Sequence, residues 1–153
     1  SVRQQWIATD PKVHVTLWAS SNSQHGGDLV PLMKMLKCWN RAHSALLTSF
    51  HLEAVTRQVL EGITISDLPS GARFVFDRAR SPIHSGHTTD PAGYGDNLAR
   101  YLDTWTKRND AYTRLDTAYE KAREAEALES EGKSRAAIEK WGVVFGDYFP
   151  AYG

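Results

Sequence analysis

KRNDAYTRLDTAYEKAREAEALESEGKSRAAIEKWGVVF, residues 107–145, decides the fold. Alanines at 111, 118, 122 and 125, with Leu115 between them, keep a 4-3-4-3 rhythm. That spacing marks a helix with a seam of small residues, which lets a second helix approach closely. The pattern predicts one long helix from about Lys107 to Glu131, ended by Gly132. Beyond it, Ile138, Trp141 and Phe145 put an apolar face on a final antiparallel helix. The fold class expected is mostly α: a helical bundle with a long C-terminal antiparallel hairpin.

Upstream of the hairpin, a helix is expected to begin near Asp96 and run through Leu98, Tyr101, Leu102 and Trp105. Residues 81–95 hold two prolines and three glycines and read as a loop. Phe74, Val75 and Ala79 mark a helix over roughly 70–80. A further helix is expected from Ser49 to Leu60, with Leu52, Val55, Val59 and Leu60 inward and Gly62 as its stop. Glu53 and Arg57 read as an i,i+4 pair on its outside. The first helix starts at Asp28 as N-cap, with Pro31 in its first turn. Leu29, Leu32, Met33, Leu36 and Trp39 or Asn40 form its inward face, while Lys34, Lys37 and Arg41 form a cationic stripe. Before it, Val13, Val15 and Leu17 alternate with His14 and Thr16, one short strand whose partners are expected outside this chain.

These segments divide the chain into an edge or linker segment, 1–27, and a single helical domain, 28–153. With 153 residues, 41% of them hydrophobic and 24% charged, one core suffices without disulfides or metals. A single cysteine, Cys38, excludes an internal disulfide and a cysteine-built zinc site. A net charge of zero argues against strong nucleic-acid binding. No apolar run approaches a membrane span, and the opening SVRQQW has no signal-peptide character, so no membrane partner and a cytoplasmic location are expected. The charge is uneven along the chain. Residues 1–60 carry six Lys/Arg against three acids, a net of +3, whereas 96–153 carry nine against eleven. An anion site is therefore expected in the first third.

The motifs of common chemistry are missing. Gly93-Tyr94-Gly95 lacks the third glycine of a dinucleotide fingerprint and is better read as a turn. His84, His87 and Asp90 at i, i+3 and i+6 suggest metal ligands, but their loop-forming neighbours make solvated histidines the better reading. Ser49 and His51 have no nucleophile elbow around them. What stands out is a combination. A helix N-terminus at Ser49 offers free N–H groups and a hydroxyl to an anion. A lysine of the neighbouring helix can meet the same phosphate, and Phe50 can cover a base. Phosphate plus base means nucleotide.

At these residues the sequence resembles a family. LVPLMKMLKCWN (29–40) and SFHLEAV (49–55) are similar to the helical half of template-independent nucleotidyltransferases: oligoadenylate synthetase, cyclic GMP-AMP synthase and the bacterial CD-NTases. TDPAGYGDNLARYL (89–102) resembles the DP…N-L segment of the oligoadenylate-synthetase C-terminal domain. AREAEALESEGKSRAAIEKWGVVFGDYFP (122–150) resembles the C-terminus of CD-NTases from anti-phage signalling operons. The run from Trp6 to His14 is similar to the segment just after their catalytic core.

The resemblance implies that Lys37 and Ser49 contact a nucleotide triphosphate, that Phe50 stacks on a base, and that Lys34 flanks the site. It implies ATP or another nucleoside triphosphate as substrate and cyclic di- or oligonucleotides as product. The family's G-S…D-x-D motif and third carboxylate, which hold two Mg²⁺ ions, do not occur here. The catalytic half is therefore expected elsewhere, on the same or a separate chain, and this chain alone is expected to be inactive. A helical protein-interaction module without a nucleotide role is the alternative.

Overall fold

The computed structural model describes residues 27–90 and 97–146. Its described residues form six helices: α1 (Leu29–Ala42), α2 (Ser49–Leu60), α3 (Leu68–Arg78), α4 (Arg80–Ser85), α5 (Trp105–Ser130) and α6 (Ser134–Phe145). The expected strand near 13–17 and the aromatic ending beyond 146 lie outside these residues.

α5 is the spine. Thr104 starts it, its side chain accepting from the Lys107 N–H at 3.2 Å. Twenty-six residues make it about 39 Å long. Its buried residues are Ala111, Leu115, Ala118, Ala122 and Ala125, the seam expected from the sequence. Gly132, at φ 78, ends it: Gly132 N–H reaches the Glu129 carbonyl and Lys133 N–H the Leu128 carbonyl, the paired bonds that close a helix on a left-handed residue. α6 then folds back along α5, and α3 and α4 pack on the same spine. The face of α6 differs from expectation. Ala137, Trp141, Val144 and Phe145 are buried, whereas Ile138 is 55% exposed. The small Ala137, fully buried, takes the inward position next to the exposed Ile138.

α1 lies against α6 and α3, and α2 lies against α1 and α3. Phe76 is central to the core, with Trp39 at 5.2 Å and Phe145 at 6.4 Å between ring centroids. Leu29, Leu32, Met33 and Leu36 of α1 are fully buried around it. Each such side chain contributes about 1.5–3 kcal/mol by leaving water. Gly146, at φ 69, permits the end of α6 to meet α1, because a Cβ there would stand 2.6 Å from that of Ala42.

Three upstream expectations need correction. Residues 80–85 are helical rather than loop, because Pro82 falls in the first turn of α4, where its missing N–H costs nothing. The helix expected from Asp96 is absent over 97–104. Asn97 diverts the backbone instead: its side-chain oxygen accepts from the N–H groups of Thr88 and Ala99, and its amide donates to the Gly86 carbonyl. A side chain that satisfies backbone groups locally competes with the helix. The third helix also begins at Leu68 rather than near 70, since Asp67 caps it by accepting from Ser70 N–H at 2.9 Å.

Candidate functional site

The site is a corner built by α1, α2 and the link between them. Asn40, near the end of α1, donates to the Leu47 carbonyl at 2.7 Å and accepts from Leu47 N–H at 3.3 Å. That clamp folds residues 43–48 tightly enough to place Ser44 and Ala45 at φ 75 and 48, in the left-handed region. Two non-glycine residues there store on the order of 1–3 kcal/mol each. His43 Nε2 pairs with the Val144 carbonyl at 2.9 Å, fixing the same link to α6. The link thus delivers the start of α2 in one orientation.

Thr48, not Ser49, caps α2. Its side chain accepts from His51 N–H at 3.3 Å, and its own N–H donates to the Tyr101 hydroxyl at 3.1 Å. Ser49 is the first helical residue and half-buried, as is Phe50 beside it. His51 turns inward and is fully buried. Its Nδ1 lies 2.6 Å from the Tyr101 hydroxyl and its Nε2 2.9 Å from Thr88 Oγ1. A hydroxyl on each nitrogen suits a neutral imidazole, and burial lowers the His51 pKa to about 4. Burial likewise pushes the Tyr101 hydroxyl up to about 12. The network ties the start of α2 to the segment that Asn97 organises.

Glu53 lies one turn beyond Ser49 on the same stripe of α2. The sequence places it outside with Arg57; the structure buries it, at 2% exposure. Lys37 corrects in the same way. The cationic stripe of α1 splits: Lys34 and Arg41 are exposed, while Lys37 is 6% exposed and ion-paired with Glu53. Among the described residues, the polar atoms of both side chains have no further hydrogen-bond partner, and Thr56 Oγ1, close to one turn beyond Glu53, is buried without one. Burial raises the Glu53 pKa to about 7, opposed by the hydrogen bond and charge of Lys37 and by the charge of Arg57. The corner therefore holds a buried ammonium on Glu53, one turn along α2 from Ser49, whose hydroxyl is not used by the cap.

No family model matches the chain, and no solved structure matches it. A curated protein of Bacillus cereus (strain VD146), described as a probable cyclic nucleotide synthase, is 27% identical over 148 residues. The chain is similar to that synthase along 96% of its own length. It spans 44% of the relative's length, less than half of it.

Of the expected site residues, Lys37 and Ser49 belong to one corner, with Glu53 between their two helices; Phe50 flanks Ser49, and Lys34 stands one turn away on the exposed side of α1. His84 and His87 do not join a ligand set. His84 packs edge-on against Tyr112 at 5.5 Å, and no group of three His, Cys, Asp or Glu suited to a metal occurs among the described residues. The described residues do not supply the carboxylate cluster that two Mg²⁺ ions require. Glu53, His51 and Tyr101 join the corner without a site expectation from the sequence. The i,i+4 step from Ser49 puts Glu53 on the same stripe of α2 but does not reveal its burial, and nothing local marks the other two.

Proposed function

We propose that this chain is the helical half of a template-independent nucleotidyltransferase that makes cyclic di- or oligonucleotide second messengers in anti-phage signalling, and that its α1–α2 corner forms the triphosphate- and base-binding wall. The observation that carries the reading is similarity to a probable cyclic nucleotide synthase over 96% of the chain. The corner is chemically suited to the role. Lys37 supplies a point charge to phosphate oxygens, Ser49 a hydroxyl at the positive end of the α2 dipole, and Phe50 an aromatic ring for a base. Lys34 adds long-range attraction. ATP or another nucleoside triphosphate is the ligand, and Mg²⁺ is held by carboxylates of the catalytic half, outside this chain. A buried ion pair contributes little net stability once both charges are desolvated, which supports a role beyond folding.

A helical interaction module is the second reading. Trp105, Ile138 and Val143, exposed by 62%, 55% and 53%, favour it.

The discriminating experiment uses the full-length protein with its catalytic half, supplied with ATP, GTP and Mg²⁺, and looks for cyclic products by mass spectrometry. Lys37→Ala removes a charged contact to phosphate and is expected to weaken apparent triphosphate affinity by about ten- to a hundred-fold. This chain alone is expected to transfer no nucleotide. If Lys37→Ala leaves both affinity and turnover unchanged, the phosphate site is misplaced and the interaction module takes over.

A further inference from the structure

An acidic side chain is out of place beside a lysine proposed to meet phosphate. Glu53 nevertheless lies one turn from Ser49 on the same stripe of α2, buried, with the Lys37 ammonium as its partner. Resting on the nucleotide reading above, we propose that Glu53 is a positioning residue: it holds Lys37 in reserve while the site is empty, and takes up a proton when the lysine moves onto a triphosphate.

The geometry makes the exchange short. One helical turn, about 5.4 Å, separates Glu53 from Ser49 along α2, a distance that the flexible four-carbon stem of a lysine can cover by changing rotamers. Among the described residues the ammonium, with three N–H donors, has Glu53 as its partner, so a phosphate offering several oxygens is a better one. Departure of Lys37 leaves a carboxylate in a dry site, where its charged form is costly. The charges acting on it are Lys37 from α1 and Arg57 from the next turn of α2, and Arg57 is itself engaged. Segment 97–102 meets this part of α2 through the neutral Tyr101 hydroxyl, and no charged group of α3 acts on Glu53. Burial already holds its carboxyl near neutrality, with Lys37 resisting the rise. Removing that resistance lets the carboxylate draw one proton from solvent. No covalent bond changes.

The consequence is a proton linked to binding. In the full-length protein, titration of a non-hydrolysable ATP analogue with Mg²⁺ at pH 7.5, repeated in two buffers of different ionisation heat, should show uptake of about half to one proton per nucleotide. Affinity should weaken as pH rises from 7 to 8.5, by up to about tenfold per unit. Glu53→Gln keeps the shape, removes the titration and frees the lysine: the uptake should vanish, and affinity at pH 8.5 should rise to meet that at pH 7. Should Glu53→Gln fail to fold, the wild-type calorimetry still decides. No proton uptake by the wild type, with Lys37→Met still weakening binding, overturns the positioning role and leaves the nucleotide site standing. No effect of Lys37→Met on binding overturns the nucleotide site itself.

Discussion

The α5–α6 hairpin and the α1–α2 corner are built on opposite principles. The hairpin buries alanines, one leucine, two aromatics and a valine, and none of its buried side chains titrates. The corner buries a lysine, a glutamate, a histidine, an asparagine and a threonine within two helices. One region gains its stability from close approach of small side chains. The other gives up part of that gain to hold polar groups away from water, in a link with two left-handed residues. Proteins concentrate such costs where something must be recognised, and that contrast is what supports placing the proposed site at the corner rather than on the hairpin.

The largest test breaks the scaffold. Leu115 is fully buried in the middle of α5, where the seam is otherwise alanine. Leu115→Ala leaves a cavity that helices already in close contact cannot collapse to fill, and should cost about 2–5 kcal/mol in urea unfolding. The loss should be the same at pH 5 and pH 7. A loss that changes with pH would mean that the hairpin and the corner do not separate as described.

The corner should behave otherwise, because two of its groups titrate in opposite senses. His51 has its pKa lowered by burial to about 4 from an ordinary 6.5, so its contribution is present above about pH 6.5 and lost as pH falls towards 4. Glu53 has its pKa raised by burial to about 7 from an ordinary 4.5, so its contribution is present below about 4.5 and lost as pH rises towards 7. Each amounts at most to something on the order of 3 kcal/mol, and between about pH 4.5 and 6.5 they offset each other. Wild-type stability from this pair should therefore be nearly flat in that range. Glu53→Gln should expose the histidine, with stability falling on acidification; His51→Gln should expose the glutamate, with stability rising. Parallel pH slopes for the two variants in chemical denaturation would refute the assignment.

Legibility followed the same division. The seam at 111, 115, 118, 122 and 125 was readable because burial along a helix repeats with the helix period and needs no knowledge of the partner. The inward faces of α1 and α2 were readable for the same reason, through Leu32, Leu36, Leu52 and Val55. Lys37 and Glu53 were not, because each looks like an ordinary solvated charge on its own helix; only the pairing between helices makes their burial tolerable. Asn97 was missed because its three bonds go to Gly86, Thr88 and Ala99, and that local competition broke a helix that the spacing of Leu98, Tyr101 and Leu102 suggested. His51 and Tyr101 meet across fifty residues of sequence, a distance at which periodicity carries no information.

The smallest expected effect sharpens the corner most. Two adjacent hydroxyls open α2, and only one of them is structural. Thr48 accepts from His51 N–H, so Thr48→Ala should cost about 1 kcal/mol of stability, the usual loss of an N-cap. Ser49 follows it as the first helical residue and takes no part in that cap, so Ser49→Ala should change stability by less than about 0.5 kcal/mol. In the full-length protein the order should reverse for triphosphate affinity, with Ser49→Ala weakening binding by several-fold for the loss of one hydroxyl contact, on the order of 1 kcal/mol. Thermal unfolding and nucleotide titration of the two variants side by side decide the matter. If Ser49→Ala destabilises the fold as much as Thr48→Ala while leaving affinity unchanged, Ser49 is a second cap and the corner holds no phosphate at that position.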